Sequence, residues 1–429
     1  MQVEFKKTKA GIIPRDWDVV LLSEVLADKK YAIVDGPFGS HLKTSDYVSS
    51  GVPVLQGKNL TGNKFVWEDI RFITHEKANK LIRSKVVEGD ILMVKIGSIG
   101  YSAIISSLNG HEFAIIPANL LKISVNEAKC NKTYLLQYLW NESTVKRIQS
   151  RASQTAQPAL SIKEMKKFPI ILPPFSEQME IAGILSSVDD ASKKTDAIIE
   201  ETKQLKKGLM QKLFAEGIGH TRFKETKIGR IPEAWKVIRL DELLVKARQR
   251  NPGKKPLEPF KYIDVSAVSN KLFRITEKAV LLGRDAPSRA RKEIRIDDII
   301  YATVRPYLKR IAMVPKELDG EICSTGYCVL RCNRDKSFPQ YIFFLMLTHR
   351  VTETLKNLQV GTSYPAISDS DVCKLLVPTP PYSEQKQIAQ ILSEVDAKIE
   401  KEVATKAELE QLKKGLMQVL LTGKVRVKV

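Results

Sequence analysis

The sequence predicts an α+β fold: two globular α/β domains separated by two long helices that pair as an antiparallel coiled coil. Two observations predict this pseudo-two-fold tandem duplication. The heptad LKKGLMQ occurs at Leu205–Gln211 and again, unchanged, at Leu412–Gln418, which is 207 residues later. The same offset relates PPFSEQMEIAGILSSVD at Pro173–Asp189 to PPYSEQKQIAQILSEVD at Pro380–Asp396.

A second repeated box opens each half of the chain. TKAGIIPRDWDVVLLSEVL at Thr8–Leu26 matches TKIGRIPEAWKVIRLDELL at Thr226–Leu244, and GDIL at Gly89–Leu92 matches DDII at Asp297–Ile300. The segments between these boxes diverge almost completely. A period of this length is too long for a solenoid, so a whole domain and its helix are duplicated. The predicted parts are two domains, each followed by a helix, at residues 1–172, 173–219, 220–379 and 380–429.

Each repeated stretch after the Pro-Pro pair reads as a helix. Ser176–Phe214 and Ser383–Leu421 align without a gap, and apolar residues recur at heptad spacing in both. A long helix with one apolar seam needs a partner, and its own duplicate supplies one; the alternative is that each helix packs on its own domain. The residues we expect to pair the helices are Ile181, Val188, Leu205, Leu209, Ile388, Val395, Leu412 and Leu416.

Two glycines, Gly208 and Gly415, fall within the predicted seam. A helical Gly costs about 1 kcal/mol relative to Ala. The same cost in both copies indicates a close helix crossing or a shared break in the helix.

The net charge of +20 arises from 69 Lys and Arg against 49 Asp and Glu. The stretches Ser176–Phe214 and Ser383–Leu421 each contain six Lys and seven acidic residues, so together they carry −2 and leave +22 on the remaining 351 residues. A basic excess of this size, concentrated outside the helices, predicts nucleic acid as partner.

Several fragments resemble catalytic or metal motifs without completing them. TPPYSEQ at Thr379–Gln385 resembles the motif of amino-group DNA methyltransferases, but it lacks the usual leading residue and no glycine-rich cofactor loop accompanies it. GVPVLQGKN at Gly51–Asn59 has the wrong glycine spacing for a P-loop. The CSTGYCVLRC segment, Cys323–Cys332, has no CxxC pair, which favours buried strand thiols over zinc. No catalytic constellation is found.

The better candidates are polar, glycine-rich loops that interleave basic and aromatic residues. They lie in the basic halves and differ between the copies, as expected of two loops that read different base edges or phosphates. In the first half the candidate DNA contacts are Phe38, Ser40, His41, Lys43, Gln56, Lys58, Asn59, Lys95, Ser98, Arg151, Gln154, Thr155 and Gln157. In the second half they are Arg305, Tyr307, Thr325, Tyr327, Thr362 and Tyr364.

Over essentially its full length, the chain resembles the specificity subunits of type I restriction–modification systems. The resemblance is carried by IPRDW and IPEAW, DGPFGS, PPFSEQ and PPYSEQ, and the paired LKKGLMQ helices. It implies two target-recognition domains, each reading one half of a split double-stranded DNA site. It also implies that the helices fix the gap and dock two copies of a methyltransferase (modification) subunit.

The resemblance places all catalysis on other subunits. S-adenosylmethionine would be carried by the modification subunits, and ATP and magnesium by restriction and translocase subunits; this chain would hold no cofactor or metal. The sequence shows no apolar run long enough to span a bilayer and no signal peptide, so we expect a cytoplasmic location. Two alternatives stay open: a stand-alone sequence-specific DNA-binding protein, and a DNA adenine methyltransferase.

Overall fold

The computed structural model describes residues 4–37, 41–61, 64–153, 157–361 and 365–428. The chain divides into two compact units: Met1–Asp196 together with Ala404–Val429, and Ala197–Val403. We call these the first and the second unit. Each contains one globular half, the beginning of the helix that follows it, and the end of the other long helix.

The described residues contain nine α-helices, two of them much longer than the rest. The long ones are α5, with 42 residues, and α9, with 39 residues. The helices are α1 His75–Lys80, α2 Lys132–Trp140, α3 Glu142–Gln149, α4 Ile162–Lys166, α5 Phe175–Glu216, α6 Pro339–Met346, α7 His349–Asn357, α8 Asp369–Cys373 and α9 Tyr382–Leu420. No described helix has the length and apolar character that crossing a membrane requires.

The strands are short in both units. In the first unit they are β1 Phe5–Thr8, β2 Gly11–Pro14, β3 Asp18–Leu21, β4 Ile33–Asp35, β5 Tyr47–Val48, β6 Val52–Val54, β7 Leu60–Thr61, β8 Lys64–Phe65, β9 Arg71–Ile73, β10 Lys85–Val86, β11 Ile91–Val94, β12 Ser102–Ile104, β13 Ala114–Ile115, β14 Leu120–Ile123 and β15 Pro169–Leu172. In the second unit they are β16 Phe223–Thr226, β17 Gly229–Pro232, β18 Lys236–Arg239, β19 Leu244–Val245, β20 Pro259–Ile263, β21 Val268–Ser269, β22 Arg274–Ile275, β23 Ala279–Leu282, β24 Ala290–Glu293, β25 Ile299–Ala302, β26 Ile311–Met313, β27 Ile322–Ser324, β28 Tyr327–Cys332 and β29 Leu376–Thr379.

The two units share their sheet topology even where their sequences diverge. One four-stranded sheet has the order β12-β11-β14-β4 in the first unit, and its counterpart is β26-β25-β28-β19. The other sheet is β10-β13-β6-β9-β5 in the first unit and β24-β27-β20-β23 in the second. In both, one parallel pair, β13 with β6 and β27 with β20, sits among antiparallel neighbours. The duplicated α+β plan is confirmed.

Ion pairs show the direction of the helices within each unit. In the first unit, Lys413 Nζ lies 2.6 Å from Asp189 Oδ1 and Lys406 Nζ 2.6 Å from Asp196 Oδ1. Residue numbers rise on one helix as they fall on the other, so the helices are antiparallel. In the second unit, Lys206 Nζ lies 2.5 Å from Asp396 Oδ1 in the same register. The predicted antiparallel pairing is confirmed.

The seam departs from the predicted one at two of the eight predicted residues. Leu205 and Leu412 are 55% and 51% exposed, so the prediction that they pair the helices is wrong. Thr195 and Thr202 are buried in the seam instead, and their hydroxyls donate to the carbonyls of residues four positions earlier in α5. Of the other predicted seam residues, Ile181, Val188 and Ile388 are buried and Leu209, Val395 and Leu416 half-buried.

The two seam glycines also differ from their prediction. A Cβ added at Gly208 or Gly415 would meet no described atom within 4 Å, and the helix continues through both residues. Neither a close crossing nor a helix break explains them.

Each unit has a core that joins its sheet, its short helices and the long helices. In the first unit, Trp17, Tyr134, Leu185 and Leu420 belong to one cluster. In the second, Trp235, Tyr341 and Leu392 belong to its counterpart, which also includes Leu213. Cys323, Cys328 and Cys332 are buried strand residues, as predicted. Burial raises the pKa of the Cys323 thiol to about 12.

Candidate nucleic-acid interface

Three predicted loops of the first unit converge on Lys95, at the end of β11. The Lys95 N–H donates to the Asn119 carbonyl at 2.9 Å, and the Lys95 carbonyl accepts from the Leu160 N–H at 2.9 Å. The Lys95 Nζ lies 2.5 Å from Asp35 Oδ2, at the base of the DGPFGS loop. Asp35 and Leu160, each from another predicted loop, are therefore both bonded to Lys95.

This position corrects the prediction for Lys95 itself. Its side chain is only 6% exposed, and its charge is paired with Asp35, which also accepts from Arg83 at 3.2 Å. A buried ion pair of this kind holds loops together but presents no ammonium group to a duplex. Lys95 is therefore a positioning residue.

The second unit repeats this convergence at Thr303, at the end of β25. The Thr303 N–H donates to the Gly326 carbonyl at 2.9 Å, and the Thr303 carbonyl accepts from the Ile367 N–H at 2.9 Å. The Thr303 hydroxyl donates to the same Gly326 carbonyl at 3.0 Å. Gly326 and Ile367, each from another predicted loop, are therefore both bonded to Thr303, and the two backbone bonds are equivalent to those of Lys95.

The loop after Thr303 has an unusual backbone. Arg305 and Lys309 have φ of 48° and 51°, in the left-handed region that non-glycine residues seldom adopt. Between them lies a short 3₁₀ turn, Pro306–Leu308, which leaves Tyr307 46% exposed. Strain of this kind occurs at binding sites, where the surroundings hold a side chain in a fixed place.

Other predicted contacts of the first unit lie at the surface or partly so. Gln56 is half-buried near Tyr47, with Nε2 3.4 Å from its hydroxyl, and Arg151 is half-buried, with its guanidinium 5.3 Å from the centre of the Phe168 ring. Lys58 is exposed and paired with Asp69. The remaining exposed ones are His41, Lys43, Ser98 and Gln157.

Two further predictions need correction. Asn59 is 1% exposed, because its side chain caps a turn: Oδ1 accepts from Gln56 N–H, and Nδ2 donates to Glu68 O at 2.8 Å. Tyr327 is 0% exposed, and its hydroxyl lies 3.0 Å from the Asp264 carbonyl. Neither side chain can reach a duplex from these positions.

In the second unit, Thr325 is exposed and Arg305 half-buried at the loop convergence. Six predicted contacts lie outside the described residues: Phe38, Ser40, Gln154, Thr155, Thr362 and Tyr364.

A basic groove in the second unit was missed by the sequence analysis. Arg250, Lys254, Lys255 and Arg291 line a depression of about 540 Å³, together with Phe260. The signal was present in the run RQRNPGKK at Arg248–Lys255, in which four of eight residues are cationic. Such a run around a Pro-Gly turn suits phosphate contacts, which supply affinity.

The PPFSEQ and PPYSEQ junctions attach each globular half to its helix. Gln178 Nε2 donates to Pro173 O at 2.9 Å, and its Oε1 accepts from Asn131 N–H at 2.9 Å. Gln385 makes the equivalent bonds to Pro380 O, at 3.1 Å, and from Phe338 N–H, at 2.9 Å. The TPPYSEQ residues, which resemble a methyltransferase motif, therefore attach the globular half to its helix.

In each junction, the Glu side chain contacts a residue that follows the other long helix. Glu384 Oε1 lies 2.9 Å from His220 Nε2, and its Oε2 accepts from the Trp235 indole N–H at 2.9 Å. Glu177 instead pairs with Arg426, whose Nε donates to Oε2 at 2.9 Å. Each unit is thereby closed by a basic side chain on a buried carboxylate.

Comparison with known proteins agrees with this architecture. Residues 14–204 and 232–411 match the family described as the type I restriction modification DNA specificity domain, once in each half. A Methanocaldococcus jannaschii protein provisionally described as the MjaX type I restriction enzyme specificity subunit is 28% identical over 99% of this chain and 97% of its own length. The MjaVIII specificity subunit of the same organism is 27% identical over 99% and 96%.

A solved structure supports the fold alone. The crystal structure of a type I restriction–modification S subunit from M. genitalium is 16% identical and covers 98% of this chain and 99% of its own, with a TM-score of 0.56. Fold and site together define a tandem DNA-recognition protein. The chain belongs to the type I restriction–modification DNA specificity family, whose role is DNA recognition and not catalysis. Among the described residues no three His, Cys, Asp or Glu side chains group as metal ligands.

Proposed function

We propose that the chain is the specificity subunit of a type I complex in which each unit reads one half of a bipartite DNA site. The observation that carries this is the equivalent pair of backbone hydrogen bonds that joins loops at Lys95 and at Thr303, with different side chains on the loops of each unit. A shared scaffold with different reading loops suits two different half-sites. Base contacts then supply specificity, while basic surfaces such as the Arg250 groove supply affinity.

The paired helices fix the gap between the half-sites and dock two copies of the modification subunit. Support comes from Leu205 and Gly208 in the second unit, and from Leu412 and Gly415 in the first. All four are exposed on the helices, and no described atom lies within 4 Å of a Cβ added at either glycine. A surface repeated in this way suits two identical partners.

The remaining parts of the complex follow from this assignment. S-adenosylmethionine would be held by the modification subunits, and ATP and magnesium by restriction and translocase subunits that join them. The proposed reading domains stay at residues 1–172 and 220–379, and the spacers at 173–219 and 380–429. Because DNA is the partner, we propose a cytoplasmic site of action.

Methylation mapping tests the proposal in cells that express the chain with its modification subunit. We expect a split, asymmetric adenine-methylated motif that disappears when the chain is deleted. Tyr307→Ala should relax or abolish recognition of one half-site, because Tyr307 is an exposed aromatic on a reading loop of the second unit. Leu257→Ala, which alters a residue 76% exposed outside these loops, is the matched control. A motif whose other half changed instead would contradict the assignment.

A heptad inserted into both α5 and α9 tests the spacer separately. We expect a longer gap with both half-sites unchanged, since a whole heptad keeps the seam in phase. Altered half-sites would count against the spacer role. If no split motif were found while the purified chain bound DNA tightly and with steep salt dependence, the stand-alone binder would replace the proposal.

A further inference from the structure

Two cavities among the described residues occupy equivalent places in the two units. In each unit a groove runs between one LKKGLMQ heptad and the turn that joins two short helices, α2–α3 in the first unit and α6–α7 in the second. The groove volumes are about 720 Å³ and about 540 Å³. We call them the first and the second groove.

The helix wall of both grooves uses the same positions. In the second groove it includes Lys206, Lys207, Met210 and Gln211, and in the first the residues of the repeated heptad in the same places: Lys413, Lys414, Met417 and Gln418. From Lys203 to Ala215 the lining positions recur every three or four residues along about 18 Å of helix. A stripe of this length suits a segment of chain better than a single phosphate.

The first groove has carboxylates that compensate part of its positive charge. Lys414 Nζ lies 3.3 Å from Glu142 Oε2 on the opposite wall. Lys413 pairs with Asp189, as the equivalent Lys206 of the second groove pairs with Asp396. A third carboxylate, of Glu410, also lines this groove.

The second groove has no carboxylate in its described lining. At the positions of Glu410, Glu142 and Ser143 it has Lys203, His349 and Arg350. Among the described residues Lys203 and Lys207 make no ion pair, and Arg350 donates only to the Ile228 carbonyl, at 3.3 Å. Burial lowers the pKa of the Arg350 guanidinium, as expected of a cation taken from water without an anion beside it.

The floor of the second groove is apolar. Met210, Phe214, Phe273 and Leu347 contribute to it, with the cations of Arg230 and Lys309 at its edges. Contacts to DNA phosphates require cationic and polar side chains and do not require an apolar floor. An amphipathic segment would cover it with apolar side chains and direct its carboxylates at the rim.

We infer that the second groove is a docking site for an acidic amphipathic segment of a protein partner, and that the first groove is not. The apolar floor takes the partner's hydrophobic side chains, and the uncompensated Lys203, Lys207 and Arg350 take its carboxylates. The inference rests on this groove and goes beyond the half-site proposal. The two units share one fold, but only the second would bind this partner segment.

The test uses the full chain and two fluorescein-labelled peptides of about 14 residues, a length set by the roughly 18 Å stripe. One peptide places Leu and Glu on opposite faces of a helix; the other has the same composition in scrambled order. Binding is measured by fluorescence anisotropy. We expect the amphipathic peptide to bind at least about tenfold more tightly than the scrambled one, because only the first can fill the floor and the rim together.

Charge variants locate the site. Lys203→Glu with His349→Glu gives the second groove the acidic residues of the first, and should weaken peptide binding by about tenfold or more. Lys212→Glu, on an exposed position of α5 outside the groove, is the control and should leave binding within about twofold. The exchange Glu410→Lys with Glu142→His should create a second peptide site in the first unit.

Equal binding of both peptides, or equal loss in the Lys212→Glu control, would overturn the inference, since either result indicates only general attraction to a basic protein. Loss of duplex-DNA binding in the groove variant, with no effect on the peptide, would also overturn it and assign the groove to DNA. Methylation mapping of the same variant tests the half-site proposal independently of peptide binding. An unchanged split motif together with lost peptide binding would support both.

Discussion

Lys95 in the first unit and Thr303 in the second hold the same place at the end of the same strand, yet they secure their loops differently. Both use one backbone N–H and one carbonyl to join two loops. Lys95 then reaches Asp35 with its long side chain, whereas the Thr303 hydroxyl returns to the Gly326 carbonyl. The first unit thus fixes its loops with a buried ion pair.

The second unit relies on backbone conformation instead. Its loop after Thr303 begins and ends with left-handed residues, Arg305 and Lys309. The comparison teaches that the scaffold determines where the loops meet, while the residue at the meeting point determines how they are held. Reading loops can therefore change their chemistry without a change in the fold.

The largest expected effect comes from removing the Lys95 charge. Lys95→Met leaves the buried Asp35 carboxylate with Arg83 alone, and should lower the free energy of unfolding by about 3 kcal/mol. Thr303→Val removes one hydrogen bond and should cost only about 1 kcal/mol. Urea unfolding followed by circular dichroism measures both. The double variant Lys95→Met, Asp35→Asn should recover part of the loss; equal costs at the two positions would refute the distinction.

Next in size is the contrast between the actual seam and the predicted one. Leu185 and Leu392 are fully buried at equivalent positions, so Leu→Ala at either should cost about 3 kcal/mol. Leu205→Ala and Leu412→Ala should stay within about 0.5 kcal/mol, because these side chains are exposed. Co-purification with the modification subunit should show the reverse order. If Leu205→Ala destabilised the chain as much as Leu185→Ala, the seam assignment would be wrong.

The sequence predicted the long helices closely but assigned Leu205 and Leu412 wrongly to their inner faces. The predicted stretches 176–214 and 383–421 differ from α5 and α9 by at most two residues at either end. The seam was misplaced because it passes through Thr195 and Thr202, polar residues whose hydroxyls are satisfied within their own helix. A heptad pattern drawn from apolar residues alone omits these threonines and selects Leu205 instead.

The site was predicted at the level of loops but not of side chains. The repeats placed the reading loops in the divergent segments, and the structure brings those loops together in each unit. Burial of Lys95 depends on Asp35, which lies 60 residues earlier in the chain. Burial of Tyr327 depends on the backbone at Asp264, 63 residues earlier. Local composition carries no information about partners that distant.

A smaller effect should separate the two core tryptophans. Both Trp17 and Trp235 are 0% exposed, but Trp235 Nε1 donates to Glu384, whereas Trp17 Nε1 has no partner among the described residues. Trp→Phe creates a similar cavity at each site, so the difference isolates the hydrogen bond. We expect Trp235→Phe to cost about 1.5 kcal/mol more than Trp17→Phe, since the acceptor is a carboxylate. Unfolding followed by circular dichroism, which does not depend on tryptophan emission, measures the difference.

The smallest effect concerns the side chains that close the two units, Arg426 and His220. Arg426 also pairs with Asp16, whose Oδ1 accepts from Nη1 at 2.9 Å, and this hydrogen bond holds the pKa of the Asp16 carboxyl below its usual value. The second unit has Ala234 at the position of Asp16. A lowered carboxyl pKa contributes stability above the ordinary value of about 3.9, and that contribution is lost as the pH falls through the folded-state pKa.

Asp16→Asn should therefore reduce stability at pH 6, and the difference should shrink as the pH falls through the folded-state pKa. Because the Asp16 side chain is 55% exposed, solvent screening limits the difference to below about 0.5 kcal/mol. Glu177 keeps Arg426 in place in the variant, so the closure itself should persist. Urea unfolding of both proteins from pH 2 to pH 6 checks this. A variant that tracked the parent protein at every pH would show that Glu177 alone closes the first unit, as Glu384 closes the second without a neighbouring aspartate.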